Sequence, residues 1–581
     1  MRSHKAIAML VAPLLGVLSL AACTGAAPEE EAKASIDQDW SKAEPITIDV
    51  FSATANFQGI QSGWFGKLVK DKFNMELNML APNVAGGGDT LYNTRVAAGE
   101  LGDLIIVGKG KQLDELVEGG LVQDVSSYYE SMKNVSTYEP AVQKLNEGKD
   151  GVYGFPAEVS SLDPTQPGDP IDPGTGAYLR WDYYAKAGYP EVGTLEDLLP
   201  VLKEMQDANP EADNGKPTYA MSLFKDWDGN MMTIGKQPGA HLYGYEEVGF
   251  TLAKADGSDY QGALDSDGAY VRGLKFFFEA NQMGLVDPES TTQNYDTMFT
   301  KYQAGQVLLS WWPWLGQSAY NTDQNVADGK GFMLVPVADQ KIHAAGASPL
   351  GGGLGLTYSI GSKAEDPARI AAFVDWLYSP EGAATTFTGP EGLTWEIKDG
   401  EPVLTDFGRK AHLGGGADVP AEWGGGDFKD GGSTLNASTL AFNDVNPDTG
   451  QPYNYKGWPS YQKTAVNPLT KDWSARMGVG DATTTVEYLL ENDQIVVAPG
   501  AGFTLPTDDA EIETLRSQVK ATIVEHSWKM AFARDEAEFE SLLAQVQETA
   551  NGLGYEKVLE VDLANAKAQH EARVAVANEF G

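Results

Sequence analysis

The sequence predicts an α/β fold with two lobes, each of them a β-sheet flanked by helices. Short apolar strands alternate with amphipathic helices near the start of the chain, a pattern typical of a parallel sheet covered on both faces. The same alternation returns in the middle of the chain, which indicates a second sheet. The chain has 581 residues, and single cores stop growing at about 250–300 residues. We therefore expect at least two lobes.

The first sheet is predicted from a βαβαβ order. Strands are expected at 46–51, 75–80 and 104–107, with helices at 61–72 and 89–98 between them. Ligands of parallel sheets bind beyond the carboxyl ends of the strands. Residues close to these strands, Asn56 and Asp103, are therefore candidates for ligand contact.

The later elements follow the same pattern. The α/β alternation recurs over 178–202, continues in an amphipathic helix at 270–281 and ends in a strand at 307–310. A further strand and helix are expected at 356–360 and 365–377, and a long glycine-rich loop at 414–432. Residues 509–580 lack proline and are rich in helix-forming residues, so the chain should end in helices.

The division into lobes follows from two flexible stretches near 156–178 and 346–355, where the chain should cross between them. The first lobe is expected to contain 45–158 and 350–400. The second lobe is expected to contain 159–349 and 401–581.

The N-terminal region has the layout of a secretory signal over residues 1–22. Arg2 and Lys5 give a positive start, an apolar run follows, and small residues lead to Cys23, the only cysteine in the chain. The stretch 20–23 resembles the lipobox of bacterial lipoproteins, in which the cysteine carries the lipid. The alternative is an ordinary signal peptide with a cysteine that has no role. Residues 23–44 then form a flexible acidic tether, and the fold should begin near Pro45.

Charge and cysteine content exclude several functions. Eighty-two acidic residues against 42 basic ones give a net charge of −40, and such a surface repels nucleic acid. Because Cys23 is taken up by lipid, no thiol remains for disulfides, thiolate metal sites or cysteine nucleophiles. The glycine-rich stretch 351–355 lacks the Lys-Ser/Thr of a phosphate loop, and no G-x-S-x-G or H-E-x-x-H motif is present.

Several short segments, in a fixed order, carry a resemblance to a known family. Residues 99–105 are similar to a "G-x-x-P-D-I" strand entry, with Gly102 in place of proline, and 151–156 to a "G-x-x-Y-G-x-P" crossover. The remaining segments are 179–190, 301–314, 381–402 and 528–554. Together they resemble the extracellular solute-binding lipoproteins of sugar ABC importers, and in particular their large oligosaccharide-binding members.

The resemblance implies a two-lobed fold of the type II periplasmic-binding-protein kind that closes on its ligand about a hinge. It implies an oligosaccharide ligand, ABC transporter permease subunits as partners, and no catalysis. It also implies a monomer held at the outer face of the cell membrane by the lipid on Cys23. The high acidity favours a neutral glycan over a uronate.

Sugar recognition predicts flat aromatic rings beside carboxylates and amides, because sugars offer weakly polar CH faces and many hydroxyls. The chain has 13 tryptophans and 24 tyrosines. The densest cluster, within 311–314, is expected at a strand end facing the cleft. The predicted ligand-binding residues are Asn56, Asp103, Trp181, Asp182, Trp227, Asp228, Trp311, Trp312, Trp314 and Trp395.

The segment 207–216 offers hard oxygen ligands in a short turn, as calcium sites do. Asp207, Asn209, Asp213 and Asn214 are the candidate calcium ligands, although Pro217 and Thr218 stand where acidic ligands follow in similar loops. The alternative is a plain turn that ends a helix, and no cofactor is required in either case.

Two further functions remain open from the sequence. A surface lipoprotein that hydrolyses glycosides would need two carboxylates across the scissile bond, and 82 acidic residues do not single out a pair. A receptor for a peptide or another solute would share the architecture. Incubation with defined glycans separates a receptor, which leaves the saccharide intact, from an enzyme, which shortens it.

Overall fold

The computed structural model describes residues 35–82, 84, 88–351, 355–413 and 416–581. The predictions for 1–22, for Cys23 and for the tether as far as 34 lie outside the described residues. Each lobe is defined here by its hydrophobic core. One core draws its buried residues from 36–159 and 356–458, and the other from 177–344 and 469–558. The two-lobed α/β fold class is confirmed.

The first lobe contains a mixed sheet in the order β2-β3-β1-β4-β13-β5, in which β1 runs parallel to β3 and β4. Its elements before the first crossing are β1 (Ile46–Ser52), β2 (Gly59–Ile60), α1 (Gly63–Phe73), β3 (Met75–Leu80), α2 (Gly88–Ala98), β4 (Leu104–Gly108), α3 (Lys111–Glu118), α4 (Ser126–Tyr129), α5 (Glu139–Leu145) and β5 (Phe155–Pro156). In β3, buried residues alternate with partly exposed ones, which fits an outer strand. In β4, the first four residues are all buried, which fits a central strand.

The second lobe contains a sheet in the order β10-β6-β11 and a meander in the order β7-β8-β9. Its elements before the second crossing are β6 (Tyr178–Arg180), α6 (Trp181–Lys186), α7 (Leu198–Ala208), α8 (Thr233–Gly239), β7 (Tyr245–Val248), β8 (Thr251–Lys254), β9 (Tyr260–Gly262), α9 (Ala269–Gln282), α10 (Tyr295–Gln303), β10 (Leu309–Ser310), α11 (Pro313–Tyr320), α12 (Asp323–Ala327), β11 (Phe332–Leu334) and β12 (Ile342–Ala345).

The chain returns to the first lobe and then crosses again. The elements in the first lobe are β13 (Leu356–Ile360), α13 (Pro367–Tyr378), α14 (Pro380–Thr388), β14 (Trp395–Lys398), β15 (Glu401–Leu404), α15 (Asp406–Leu413), β16 (Val445–Asn446), β17 (Gln451–Pro452) and α16 (Pro459–Ala465). The last elements are α17 (Pro468–Met477), α18 (Thr485–Glu491), β18 (Ile495–Ala498), α19 (Ala510–Ala531), α20 (Glu536–Gly552) and α21 (Tyr555–Phe580).

The cores divide the chain differently from the sequence-based boundary at 401. Leu404, Leu440 and Trp458 are buried in the first core, so the segment 404–458 packs with the first lobe. The chain then enters the second core at Leu469. We therefore propose three crossings: at 159–176, between β12 and β13, and at 466–468. The sequence offers no composition signal for the third.

The fold also begins earlier than Pro45. Ile36 and Trp40 are 7% and 6% exposed and belong to the first core. The Trp40 indole donates a hydrogen bond to the Ile36 carbonyl at 3.1 Å, and the Arg369 guanidinium lies 5.3 Å from its ring centroid. The part of the predicted tether from Ile36 onward therefore packs on the first lobe, because Ile36 and Trp40 are both buried in its core.

Most predicted elements are confirmed within a few residues, including the strands at 46–51, 75–80 and 356–360 and the helix at 270–281. The predicted strand at 307–310 is shorter, because only Leu309 and Ser310 pair with β6. The C-terminal region is helical as predicted, in α19, α20 and α21. None of the helices in the described part of the chain combines the length and the apolar character that crossing a bilayer requires.

Candidate ligand-binding cleft

In each lobe, several strands have their carboxyl ends on the side of the sheet where the chain crosses to the other lobe. In the first lobe, β13 begins directly after the second crossing, and its first residue Leu356 pairs with Gly108, the last residue of β4. In the second lobe, β6 begins after the first crossing, and β10 and β11 run antiparallel to it. The ends of β1, β4, β10 and β11 therefore all lie on the crossing side. We take this side as the candidate cleft, because α/β proteins bind ligands at the carboxyl ends of their strands.

The three tryptophans after β10 differ in accessibility. The Trp311 carbonyl accepts a hydrogen bond from Gly176 in the first crossing at 3.0 Å, which fixes the segment at the cleft edge. Pro313 then starts α11, and its fixed φ suits the first turn of a helix. Trp311 and Trp312 are 4% and 8% exposed, whereas Trp314 is 42% exposed. Trp314 therefore presents its ring to solvent, whereas Trp311 and Trp312, which were also predicted to contact ligand, both belong to the second core.

A row of aromatic rings extends from this point, and we call it the aromatic ladder: Trp312, Trp314, Trp227, Tyr295 and Phe299. The Trp312 and Trp314 rings are stacked with centroids 5.1 Å apart, and Trp314 lies 5.7 Å from Trp227. Trp227 stacks on Tyr295 at 4.6 Å, and Tyr295 stacks on Phe299 at 5.7 Å. Trp227 is 46% exposed. The ladder is a partly exposed aromatic surface next to the cleft edge.

Hydrogen bonds hold the Trp227 loop in place. The two carboxylate oxygens of Asp228 accept from the Thr233 amide at 2.9 Å and from the Trp528 indole at 2.6 Å. The Thr233 hydroxyl donates to the Trp227 carbonyl at 2.5 Å. Burial raises the pKa of the Asp228 carboxyl above its ordinary value. Asp228 was predicted to contact ligand, but both of its oxygens are engaged by protein donors, so it positions the loop that carries Trp227.

Tyr295 and Phe299 belong to the ladder although the sequence analysis did not select them. Asn294 caps α10 by accepting from the Thr297 amide at 3.0 Å, and the two aromatics then stand four residues apart on one face of the helix. Asp226 accepts from the Tyr295 amide at 2.7 Å and so ties α10 to the Trp227 loop. The i, i+4 aromatic spacing behind a capping asparagine is the signal that could have found them.

In the first lobe, the loop after β1 lies on the candidate cleft side. The Ser52 hydroxyl donates to the Leu435 carbonyl at 2.8 Å, and the Thr54 hydroxyl donates to the Asn436 carbonyl at 2.9 Å. These bonds fix the loop at the strand ends, with Asn56 exposed upon it. Asn56 therefore lies beyond the carboxyl end of β1, and its contact with a ligand stays a prediction.

Lys109 also lies on the cleft side, directly after β4, and the sequence analysis did not select it. It lines a small cavity beside the second crossing, together with Leu350, Gly351 and Thr504. Burial lowers the pKa of its ammonium group, and the charge of Lys144 lowers it further.

Asp103 lies at the opposite edge of the first sheet. It precedes β4, so it stands at the amino end of that strand and away from the crossings. Its carboxylate accepts from the Asp49 amide at 2.7 Å, and its carbonyl accepts from the Gly361 amide at 2.8 Å, beyond the far end of β13. Asp103 was expected at the cleft side, but this prediction is wrong because the residue precedes β4 and only residues that follow the strand lie there.

Trp181 and Asp182 follow β6 and lie at its end away from the crossings. Trp181 is 1% exposed, and its indole donates to Asp472 at 2.7 Å. Asp182 forms an ion pair with Arg180 at 2.9 Å, and the guanidinium lies over the Tyr320 ring. These contacts make both residues part of the second core, and the buried indole has no face open to a ligand.

Trp395 is buried in the first core. It is 6% exposed, its indole donates to the Gly389 carbonyl at 2.9 Å, and its ring packs against Trp458. Strand β14 pairs with β15 here, so the tryptophan anchors a hairpin. Its position does not fit the predicted ligand contact.

The candidate calcium ligands do not fit the ion. The Asp207 carboxylate is bound by Lys203 of the same helix, and the Asp213 carboxylate by Lys330 at 2.9 Å. The Asn209 amide donates back to Met205 at 2.9 Å. The Asn214 oxygen accepts from the Lys216 amide at 3.0 Å. In the ranges that the structure describes, no group of three or more His, Cys, Asp or Glu residues could hold a metal.

The chain is similar to known proteins in sequence and in fold. A model of the family described as "Bacterial extracellular solute-binding protein" matches residues 82–384. Lipoprotein LipO of Bacillus subtilis (strain 168) is 21% identical over 326 residues, which are 53% of this chain and 59% of LipO. The chain thus spans less than two thirds of the length of this relative.

Solved structures share the fold over most of the chain. The alginate-binding protein AlgQ2, solved without calcium, matches with a TM-score of 0.61 at 14% identity, covering 91% of this chain and 99% of AlgQ2. The Streptococcus pneumoniae substrate-binding protein FusA, an EF-hand mutant in complex with fructo-nystose, matches at 0.57 and 14%, covering 91% and 100%. An HMO-binding, ABC-transporter-associated protein of Bifidobacterium longum infantis matches at 0.55 and 16%, covering 91% and 99%.

Proposed function

The chain belongs to the bacterial extracellular solute-binding proteins, and on that premise we propose that it captures a neutral oligosaccharide for import by an ABC transporter. The ligand would bind between the lobes and be released to the permease subunits. Binding would draw the lobes together, because a ligand that contacts both walls favours the closed state. No bond is made or broken in this role.

The aromatic ladder is the observation that carries this proposal. Trp227 and Trp314 are 46% and 42% exposed, and their rings stand beside one another at the cleft edge. Large rigid aromatics of this kind offer a sugar ring a broad contact surface at low entropic cost. The solved structures with the same fold include binders of alginate, of HMO and of fructo-nystose, which supports a carbohydrate ligand.

A neutral ligand is favoured by the charges around the ladder. Asp226 and Asp296 flank it, both exposed to solvent, and the whole chain carries a net charge of −40. A uronate would be repelled by this field, whereas hydroxyl groups would find carboxylate acceptors.

The location proposed is the outer face of the cell membrane, with lipid on Cys23 as the anchor. The support is the apolar run that ends in Leu20-Ala21-Ala22-Cys23, and the relative LipO bears the name of a lipoprotein. We propose that the protein acts as a monomer and needs no cofactor.

The proposal is tested by calorimetric titration of the purified protein with a panel of neutral and uronate oligosaccharides. A neutral oligosaccharide should bind, raise the melting temperature and be recovered unchanged in length by chromatography. Trp314→Ala should weaken binding roughly ten-fold, which is about 1.4 kcal/mol. Val574→Ala, which alters a side chain on α21 that is 47% exposed, is the control and should bind normally.

Three results would reject the proposal. Shortened saccharide would indicate a glycoside hydrolase. Binding of peptides but of no oligosaccharide would indicate a receptor of another class. Equal affinity of wild type and Trp314→Ala would remove the ladder from the site.

A further inference from the structure

Residues 435–441 of the first lobe lie beside the carboxyl end of β1, and we call them the bridging segment. Leu435 and Ala437 are buried in the first core, whereas Asn436 between them is exposed. Leu440 is buried in the same core. The apolar residues therefore hold the segment on the lobe and leave the side chain of Asn436 outside the core.

Asn436 has a left-handed backbone conformation, with a φ of 49°. Glycine adopts this region without strain, and asparagine is one of the few other residues that tolerate it. Unlike glycine, asparagine carries a side-chain amide. That amide donates a hydrogen bond to the Thr54 carbonyl, and the Thr54 hydroxyl donates to the Asn436 carbonyl at 2.9 Å. The two residues thus hold each other through a reciprocal pair of hydrogen bonds.

The reciprocal pair fixes the loop after β1, which comprises residues 53–58. The Gln58 side-chain oxygen accepts a hydrogen bond from the Ala81 amide at 2.8 Å and so holds the far end of this loop. Asn56, the predicted ligand contact, lies between the two attachments and is exposed. Because a side chain on a loop is only as well placed as the backbone that carries it, Asn56 depends on the reciprocal pair for its position.

The bridging segment is itself held by the start of the first crossing. The Val159 amide donates to the Thr439 carbonyl at 3.0 Å, and the Ala441 amide donates to the Val159 carbonyl at 2.8 Å. Val159 and Leu440 thereby form a parallel bridge. The segment that carries Asn436 is therefore bonded to the loop after β1 at one end and to the crossing at the other.

We propose that Asn436 is a positioning residue for ligand binding, which holds the loop after β1 so that Asn56 meets the ligand in a fixed place. This inference rests on the proposed function and adds to it a determinant of affinity in the first lobe. A loop freed from the reciprocal pair would lose conformational entropy when the ligand binds, and affinity would fall accordingly.

Asn74 provides a matched comparison within the same lobe. It also has a left-handed backbone conformation, with a φ of 44°, and its side-chain amide donates to the Ala43 carbonyl at 2.8 Å. It directly precedes β3, however, and so lies at the amino ends of the parallel strands. Asn436→Gly and Asn74→Gly therefore each remove one amide hydrogen bond at a left-handed position, but on opposite edges of the sheet.

The test measures the binding of maltohexaose, mannohexaose and xylohexaose to the full chain by calorimetry. For a hexaose that binds the wild type, Asn436→Gly should weaken affinity by about three- to ten-fold, the effect of one hydrogen bond. Asn74→Gly should bind as the wild type does. The two variants should melt at similar temperatures without ligand, because glycine adopts the left-handed region without strain. A purely structural role of Asn436 would change the melting temperature and leave the affinity of the folded protein unchanged.

A second variant, Thr54→Val, removes the other hydrogen bond of the pair and leaves residue 436 unchanged. It should also weaken binding, and the double variant with Asn436→Gly should lose less than the product of the two single effects. If Asn436→Gly melts well below Asn74→Gly, Thr54→Val decides the question, and normal affinity of this variant overturns the positioning role.

The outcomes separate the positioning role from the proposed function. If Asn436→Gly binds as the wild type does while Trp314→Ala weakens binding, the positioning role is overturned and the proposed function stands. Equal losses of affinity in Asn436→Gly and Asn74→Gly overturn it as well. If none of the three hexaoses binds the wild type, the proposed function fails, and the positioning role fails with it.

Discussion

The Lys111 ammonium lies 2.6 Å from a carboxylate oxygen of Glu513, and this ion pair joins α3 of the first lobe to α19 of the second. The Glu513 carboxylate raises the pKa of Lys111 above its ordinary value. The two side chains are 49% and 60% exposed, so the pair contributes only about 0.2–1 kcal/mol. Even this amount shifts an equilibrium between open and closed lobes.

We expect Glu513→Gln to favour separation of the lobes and to weaken ligand binding by up to about five-fold, with a smaller effect at high salt. Small-angle scattering of the unliganded variant should report a larger radius of gyration, and calorimetry the weaker binding. Asp71→Asn is the matched control, since it breaks the pair with Lys67 inside α1. If both variants behave alike, the contact between the lobes has no special role.

The two exposed tryptophans of the ladder should act as one surface. Trp227→Ala and Trp314→Ala are each expected to weaken oligosaccharide binding roughly ten-fold. Because their rings lie 5.7 Å apart, the double variant should lose less than the product of the two single effects. A double-mutant cycle by calorimetry measures this coupling. Strictly additive losses would mean that the two rings contact the ligand independently.

The stability of the first crossing should depend on pH through Asp172. Its carboxylate accepts from the Thr485 hydroxyl at 2.8 Å, and burial, with the nearby charge of Asp169, raises its pKa to about 6. A carboxyl with a raised pKa binds its proton more tightly in the folded state. The stabilisation that this proton gives the folded state is therefore fully present below about pH 4 and is lost as the pH rises through 6.

Asp172→Asn should thus be more stable than wild type by about 1–3 kcal/mol at pH 7.5, and the difference should disappear near pH 4. Thermal unfolding across this range provides the measurement. Asp267→Asn, at an exposed position, is the control and should show no such pH dependence. A wild type that is as stable as Asp172→Asn at pH 7.5 would show that the pKa of Asp172 is not raised in the folded state.

Trp40 should contribute to the stability of the first lobe although it precedes the first strand. Trp40→Ala removes a side chain that is 6% exposed and packs under Arg369, and it should cost about 3 kcal/mol or more in free energy of unfolding. Trp40→Phe keeps most of the buried area and should cost less than half of that amount. Urea unfolding compares them. An unchanged midpoint for Trp40→Ala would show that the segment is not part of the folded core.

The local sequence pattern predicted the secondary structure correctly wherever a segment buries one face in its own lobe. The alternation in 75–80 and the amphipathic periodicity in 270–281 specify elements that short-range sequence can encode. The direction of a side chain at a strand end is not encoded in the same way. Trp181 and Trp314 both follow a strand of the same sheet, but β6 and β10 are antiparallel, so one lies at the far edge and the other at the cleft.

Composition alone could not separate core aromatics from surface aromatics. Trp311 and Trp395 share a residue type with Trp227 and Trp314, but the first two are buried and the last two are more than 40% exposed. That difference depends on which residues from distant parts of the chain pack over each ring. Likewise, the oxygens of 207–216 resemble a calcium loop in sequence, yet Lys330 from another loop neutralises Asp213.

The sequence by itself determined the α/β class, the two-lobed organisation and the helical C-terminus, because these depend on periodicity, length and composition. Only the tertiary structure decided which aromatics form the ladder and that 404–458 joins the first lobe. The physical reason is that burial and strand direction are set by contacts between residues hundreds of positions apart, as between Asp228 and Trp528. No local pattern specifies such contacts.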